Sequence, residues 1–408
     1  MTLVVRAGRL VDVVTGEGGH DQMILIEGER VVSVLPRGAP VPPDAEVIDL
    51  SAHTVLPGLI DLHTHLVGPV EAGEPAAVLQ RSAADEALMG VANAAATLRA
   101  GVTTVRDVGT FRAFVDVALR NAIDGGVVEG PRMRCAGAYI TCTGGGGEVT
   151  GFAADVALPA DLRIGVADTV DEVQRAARRV LAGGADLLKV IATGAVLAPG
   201  TEPGNPELSE EQIRAAVEIA TDHGTHVAAH AHGAEGAKRA IRAGVRSIEH
   251  GSLLDDEALD LMAEHGTWLV ADVYNGDWIA EIGERDGWPA QTLRKNRDTT
   301  QTQRAVFSAA VRRGVHLAFG TDAGVFPHGL NARQLPVMVR LGLSPVAALR
   351  AATFDAARCL GWDGEVGSLQ PGRYADLLAV EGHELGDLGV LTRPPVLVMK
   401  GGAVAHGA

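Results

Sequence analysis

The stretch Leu59-Ile-Asp-Leu-His-Thr-His-Leu66 reads as an apolar strand that ends in His63 and His65. Residues two apart on a strand point to one face. The two imidazoles therefore converge while Thr64 turns away, and two ring nitrogens at that spacing can hold one metal ion. Alone, the pattern is equally a pair of polar residues at a strand end. Matching residues stand at other strand ends. Ala228-Ala-His-Ala-His-Gly233 offers His230 and His232 on one side. Arg246-Ser-Ile-Glu-His-Gly251 delivers His250, and Phe319-Gly-Thr-Asp-Ala-Gly324 delivers Asp322 with small neighbours that leave room around the carboxylate.

Lys189 is of a different kind. It is one of four lysines among 35 basic residues, and it sits inside the apolar run Asp186-Leu-Leu-Lys-Val-Ile-Ala192. Burying an ammonium is costly unless it is paired or neutralised. A lysine held neutral can take up CO2. The carbamate that results is an anion with two oxygens, able to bridge two metal ions. The plainer reading is a stem that snorkels to the strand end.

These residues need a frame that gathers strand ends. Strand candidates at 57–65, 102–107, 132–140, 185–192, 225–231, 246–250, 267–273 and 315–321 alternate with helical stretches such as Ser82–Ala100, Thr169–Ala182 and Ser209–His223. Gly101, Gly244, Gly266 and Gly314 stand where helices must stop. Eight such units in about 300 residues predict an α/β fold, a (β/α)8 TIM barrel over residues 57–361. A doubly wound sheet is the second choice. Barrel chemistry lies at the C-terminal ends of the strands. The candidates end strands one, four, five, six and eight.

The flanks read as short strands, at Leu3–Arg6, Met23–Ile26 and Arg30–Leu35, and again at Asp376–Val380, Val396–Met399 and Gly401–Ala405. Neither flank has enough strands to be stable alone. Residues 1–56 plus 362–408 are therefore expected to form one small β-sandwich-like domain. Two connections are longer than a barrel needs: Thr141–Asp168, with Gly144-Gly-Gly-Gly147, and Tyr274–Arg294, with Trp278 and Trp288. Long loops in compact domains are often functional, and the aromatics predict a pocket wall or lid.

A net charge of −16 argues against nucleic acid or an anionic membrane as partner. No window approaches the roughly 18 apolar residues of a membrane span. The start lacks a basic segment followed by an apolar core, so no signal peptide is expected. Cys135, Cys142 and Cys359 form no pairable framework, which predicts a reduced, cytoplasmic compartment. The other histidines, His383 among them, read as surface or packing residues; His328, close after Asp322, could line the pocket.

Taken as a set, Pro57-Gly-Leu-Ile-Asp-Leu-His-Thr-His65, Lys189, His230, His250 and Gly320-Thr-Asp322 resemble, in order, the motifs of the amidohydrolase superfamily of metal-dependent hydrolases. The resemblance covers nearly the whole chain and implies the same barrel with a β-domain split between the termini. Lys189-Val-Ile-Ala-Thr-Gly194, His230-Ala-His-Gly233 and Ser247-Ile-Glu-His-Gly251 look like the branch of imidazolonepropionase-like proteins and zinc dipeptidases. Members of that branch cleave Xaa-Pro, Xaa-Arg or N-acyl amino acids. The likeness implies that His63 and His65 hold one metal with Asp322, that His230 and His250 hold a second, and that carboxylated Lys189 bridges them. Zinc is the expected ion; iron, manganese and cobalt accept the same mixed ligands. One position departs. The branch often carries a histidine after Thr-Gly-Gly in the third-strand loop, where this chain has Gly146.

The expected chemistry is amide hydrolysis by a metal-activated hydroxide. Asp322 is the expected proton carrier and His232 the expected donor to the oxyanion. Arg106, Tyr274 and His328 are the candidates for holding a small-molecule substrate. Ring opening of a cyclic amide, lactone or imidazolone-like substrate, or deamination at a single metal, is the alternative, with a non-catalytic binding protein third. Homo-oligomers are common in such barrels.

Overall fold

In a computed structural model the protein is described over residues 2–16, 18–68, 77–153, 155–382, 385–386 and 388–407. His383 lies outside these residues. The chain opens on β1 (Thr2–Val11), β2 (Gly18–Glu27), β3 (Arg30–Pro36) and β4 (Glu46–Pro57). β1 pairs antiparallel with β2 and parallel with β4.

Parallel strands and helices then alternate. They run β5 (Leu59–Thr64), α1 (Ala77–Gln80), α2 (Ala83–Arg99), β6 (Val102–Asp107), α3 (Val115–Asp124), β7 (Arg132–Cys135) and β8 (Tyr139–Ile140). Next come α4 (Val170–Ala182), β9 (Leu188–Ile191), α5 (Glu210–Asp222), β10 (Val227–Gly233), α6 (Ala234–Ala243), β11 (Ser247–Leu253), α7 (Asp256–His265) and β12 (Trp268–Val270). The series ends with α8 (Asn275–Asp286), α9 (Ala290–Arg313), β13 (Leu317–Ala318), α10 (Gln334–Arg340), α11 (Pro345–Ala351) and α12 (Phe354–Leu360). β14 (Leu377–Glu381), β15 (Leu397–Lys400) and β16 (Ala403–His406) return to the first sheet, where β14 pairs with β4.

Local chemistry sets these boundaries. α2, α4 and α5 each begin with a reciprocal capping box, Ser82 with Asp85, Thr169 with Glu172 and Ser209 with Gln212. Gly244, Gly266 and Gly314 take the left-handed conformation that closes α6, α7 and α9. β5, β6, β9 and β10 are buried along their whole length, as parallel strands covered on both faces must be.

The strands fall into three sheets. A seven-stranded sheet runs β16-β15-β14-β4-β1-β2-β3. Hydrogen bonding runs through all seven strands, and both ends of the chain share one core containing Val5, Ile24, Val55, Leu377 and Met399. The parallel strands form a six-stranded sheet, β13-β12-β11-β10-β9-β8, and a three-stranded sheet, β5-β6-β7. Backbone bonds join β5 to the segment after β13: Leu62 N to Phe319 O (2.9 Å), Asp322 N to His63 O (2.7 Å) and His65 N to Ala323 O (2.8 Å).

Three expectations need correcting. β4 escaped the sequence reading because its first half, Glu46-Val-Ile-Asp-Leu-Ser51, is mostly exposed, with only Leu50 buried, and has no apolar run. The third strand is two pieces, broken at Ala136-Gly-Ala138, where Gly137 adopts φ +72°. The long connection after the seventh strand is a pair of helices, α8 and α9, not a loop.

Candidate metal centre

His63, His65, Lys189, His230, His250 and Asp322 all border one cavity of about 220 Å³. They descend from β5, β9, β10, β11 and the turn after β13. Small residues let these segments meet. A Cβ at Gly320 would come within 2.9 Å of His63 Cβ, and one at Gly324 within 2.9 Å of His65 Cβ. Asp61 clamps the same junction, accepting from Thr321 Oγ1 (2.6 Å) and Asn331 Nδ2 (2.7 Å). His250 and Asp322 both have positive φ, 68° and 61°. Non-glycine residues in that region cost about 1–3 kcal/mol each and persist where the surroundings impose them.

The donors form three overlapping groups, each with ligand atoms within 4.8 Å of one another: His63, His65 and Asp322; His230, His232 and His250; His250, Asp272 and Asp322. In the first, Asp322 Oδ1 lies 3.4 Å from His63 Nε2 and 3.2 Å from His65 Nε2. The far nitrogens are already engaged. His63 Nδ1 is 3.0 Å from Glu249 Oε2, and His65 Nδ1 is 2.9 Å from Gly109 O. A ring whose Nδ1 donates outward keeps its lone pair on Nε2, so both rings offer a ligand atom to the same point. In the second group, His230 Nε2 is 3.2 Å from Gly194 O and His232 Nδ1 is 2.8 Å from Ser252 Oγ. His250 Nδ1 lies 3.1 Å from Asp272 Oδ1, though out of line for a hydrogen bond.

Burial, reinforced by neighbouring cations, holds His63, His230 and His232 well below the usual histidine range. They are neutral, the form that ligates metal. Burial would lower His65 too, but its bond to Asp322 turns the shift upward. Burial alone would raise Asp272, but the neighbouring His250 turns the shift and holds the carboxyl below its ordinary value.

Lys189 is only 2 % exposed and its Nζ has no hydrogen-bond partner among the described residues. Burial brings the ammonium down to about 8, against the pull of Glu249. An orphaned nitrogen beside buried imidazoles and carboxylates is what a missing anionic or metallic group would explain. Neutral nitrogens with carboxylate oxygens suit divalent ions.

Two carboxylates escaped the sequence reading. Asp272 stands two residues past β12, and Glu249 lies inside β11. The signal was present: an acid closing the seventh strand, and a carboxylate in a strand buried like that of Lys189. Glu249 also binds Arg106, whose Nη2 donates to Oε1 at 2.6 Å.

That ion pair removes Arg106 from the substrate side. Arg106 is fully buried, and it also donates to Leu62 O and Ser247 Oγ. Tyr274 packs on Phe326 at 5.3 Å and does not border the cavity. His328 sits behind the centre, its Nε2 3.1 Å from His65 O, and burial lowers it to about 4. Trp278 and Trp288 do not reach the cavity; Asn275, Gly276 and Ile279 form that wall instead. The remaining wall is mostly apolar, with Phe111, Tyr139, Val149, Ile191 and Leu197. Gly146 borders it as well. A Cβ there would stand 3.2 Å from Ala195 Cβ, so this wall has little room for a histidine.

The amidohydrolase family matches residues 54–406. The ochratoxinase of Aspergillus niger is 30 % identical over 94 % of this chain and 82 % of its own length. The imidazolonepropionase of Nocardia farcinica is 28 % identical over 93 % of this chain and 92 % of its own. Among solved structures, a Xaa-Pro dipeptidase with methionine bound in its active site superposes with a TM-score of 0.93 at 36 % identity, covering all of both chains.

Proposed function

The chain belongs to the amidohydrolase family, hydrolases that act on C–N bonds, and we propose that it cleaves a peptide-like or N-acyl amino acid amide at a two-metal site. The frame for this reading is a closed (β/α)8 barrel over residues 57–361, with residues 1–56 and 362–408 as the small β-domain. The observation that carries it is the Nζ of Lys189, without a hydrogen-bond partner among the described residues, in a residue that lines the same cavity as the histidines and Asp322.

His63, His65 and Asp322 would hold one ion, His230 and His250 the other, and the carbamate of Lys189 would join them. Zinc is the expected ion. Such ions lower the pKa of water so that hydroxide forms near neutral pH. Asp322 takes the proton of the attacking water. Hydroxide adds to the amide carbon; as the C–N bond breaks, Asp322 returns the proton to the leaving nitrogen. His232, with Nδ1 on Ser252, keeps Nε2 to donate to the developing oxyanion. A cytoplasmic, small-molecule enzyme fits the lack of a helix long and apolar enough to cross a membrane among the described residues.

Metal analysis together with a panel of dipeptides, N-acyl amino acids, lactams and lactones tests the reading. We expect about two ions per chain and turnover of acyclic amides. One ion per chain with deamination, or ring opening alone, would overturn it.

A further inference from the structure

We propose that Asn275 selects secondary amides by accepting a hydrogen bond from the N–H of the bond to be cut; this deepens, and rests on, the amide-hydrolase reading. Asn275 opens α8, is 4 % exposed, and belongs to the cavity wall. Its Nδ2 donates to Asp322 Oδ2 at 2.9 Å and to Asp272 Oδ2 at 3.2 Å. Ionised carboxylates only accept hydrogen bonds. Turning the amide over would set Oδ1 against two acceptors, so the orientation is fixed by chemistry.

Oδ1 is then left over. It is buried and has no donor among the described residues. The facing helix α9 cannot supply one. Asn296 Nδ2 goes to Gly276 O, Gln303 Nε2 goes to Asp272 and His250 O, and Thr299 and Thr300 bond back within α9. A buried acceptor without a partner is uncommon and costly. Asn275 lines the cavity, and we place the missing donor there, beside Asp322.

The leaving nitrogen is that group, because Asp322 must reach it to deliver the proton. A secondary amide carries an N–H there. A tertiary amide, such as the bond before proline, carries none. A site built to bond an N–H rejects the analogue that lacks it, because its own acceptor stays unpaired. The wall at Asn275 thus sets this chain toward N-acyl amino acids and ordinary dipeptides rather than Xaa-Pro.

The test uses the metal-loaded full chain and substrate pairs that differ only by a methyl on the amide nitrogen. The wild type should prefer the N–H member by about 10- to 100-fold in kcat/KM. Asn275→Ala, which also opens space for the methyl, should bring the two within about 3-fold while its metal content stays unchanged. Absolute rates will fall because Nδ2 also holds Asp322, so the ratio is the readout. Equal wild-type rates, or a preference that survives in Asn275→Ala, would overturn the proposal. Should the variant fail to fold, calorimetry on the wild type decides. A phosphonamidate (P–NH) analogue should bind about 10-fold more tightly than its phosphonate ester (P–O), and equal affinity sinks the proposal. If neither amide is cut yet the analogues bind unequally, the amide-hydrolase reading fails and the Asn275 contact stands.

Discussion

The floor and the wall of the cavity are built on different principles. On the floor three of the histidines are held twice, once by the strand and once through the far ring nitrogen: His63 through Glu249, His65 through Gly109, His230 through Gly194. The wall mixes apolar side chains on loops, such as Val149 and Leu197, with the mostly polar face of the α8–α9 pair. A ligand atom displaced by an ångström loses its metal, whereas an apolar wall can shift and still exclude water. Chemistry here is therefore fixed by hydrogen bonds behind the site, and selectivity in front of it by shape and by the one hydrogen bond proposed at Asn275.

Substitutions that respect this division should differ by orders of magnitude. Asp322→Asn keeps the shape and removes the proposed proton carrier, so turnover should drop by about a thousand-fold or more with metal still bound. Near wild-type turnover would dissolve the distinction at its strongest point. Lys189→Ala should lose roughly half the bound metal and most activity, both partly restored by a short carboxylic acid.

The pH dependence of Lys189 sharpens the same point. Only the neutral amine adds CO2, and the ammonium lies at about 8. Rising pH removes the proton, so metal-free protein supplied with metal at one fixed dissolved CO2 concentration should regain activity faster at pH 8 than at pH 6. A flat profile would mean that no carbamate forms. On the wall, Gly146→His should leave kcat and metal content intact and raise KM for bulky substrates only several-fold, as Ala195 yields. A collapse of kcat there would show that wall and floor are one unit.

The floor was legible in the sequence and the wall was not, for a physical reason. Period-two spacing, strand-end position and a lysine in an apolar run are local signals, and they led to His63, His65, Lys189, His230, His250 and Asp322. Arg106 stands in the same kind of position, yet a partner distant in sequence, Glu249, turned it into the core. Asp272 and Asn275 acquire meaning only when α9 presents Gln303 and its neighbours. The segment of α8 reads in sequence as a long connection, although Trp278, Ile279 and Ile282 have helical spacing.

The first sheet carries a consequence for how the chain is made. β4 finishes at Pro57, but its partner β14 begins only at Leu377. At synthesis rates of about 5–20 residues per second, roughly 320 intervening residues mean a wait of about 15–60 seconds. During that wait one long edge of a nascent sheet stands open, and an open edge is a template for other strands. The last strands act as a seal applied at the end of translation. Ribosomes spaced along one message would each carry an unsealed edge, which makes crowding on the polysome a hazard for this fold.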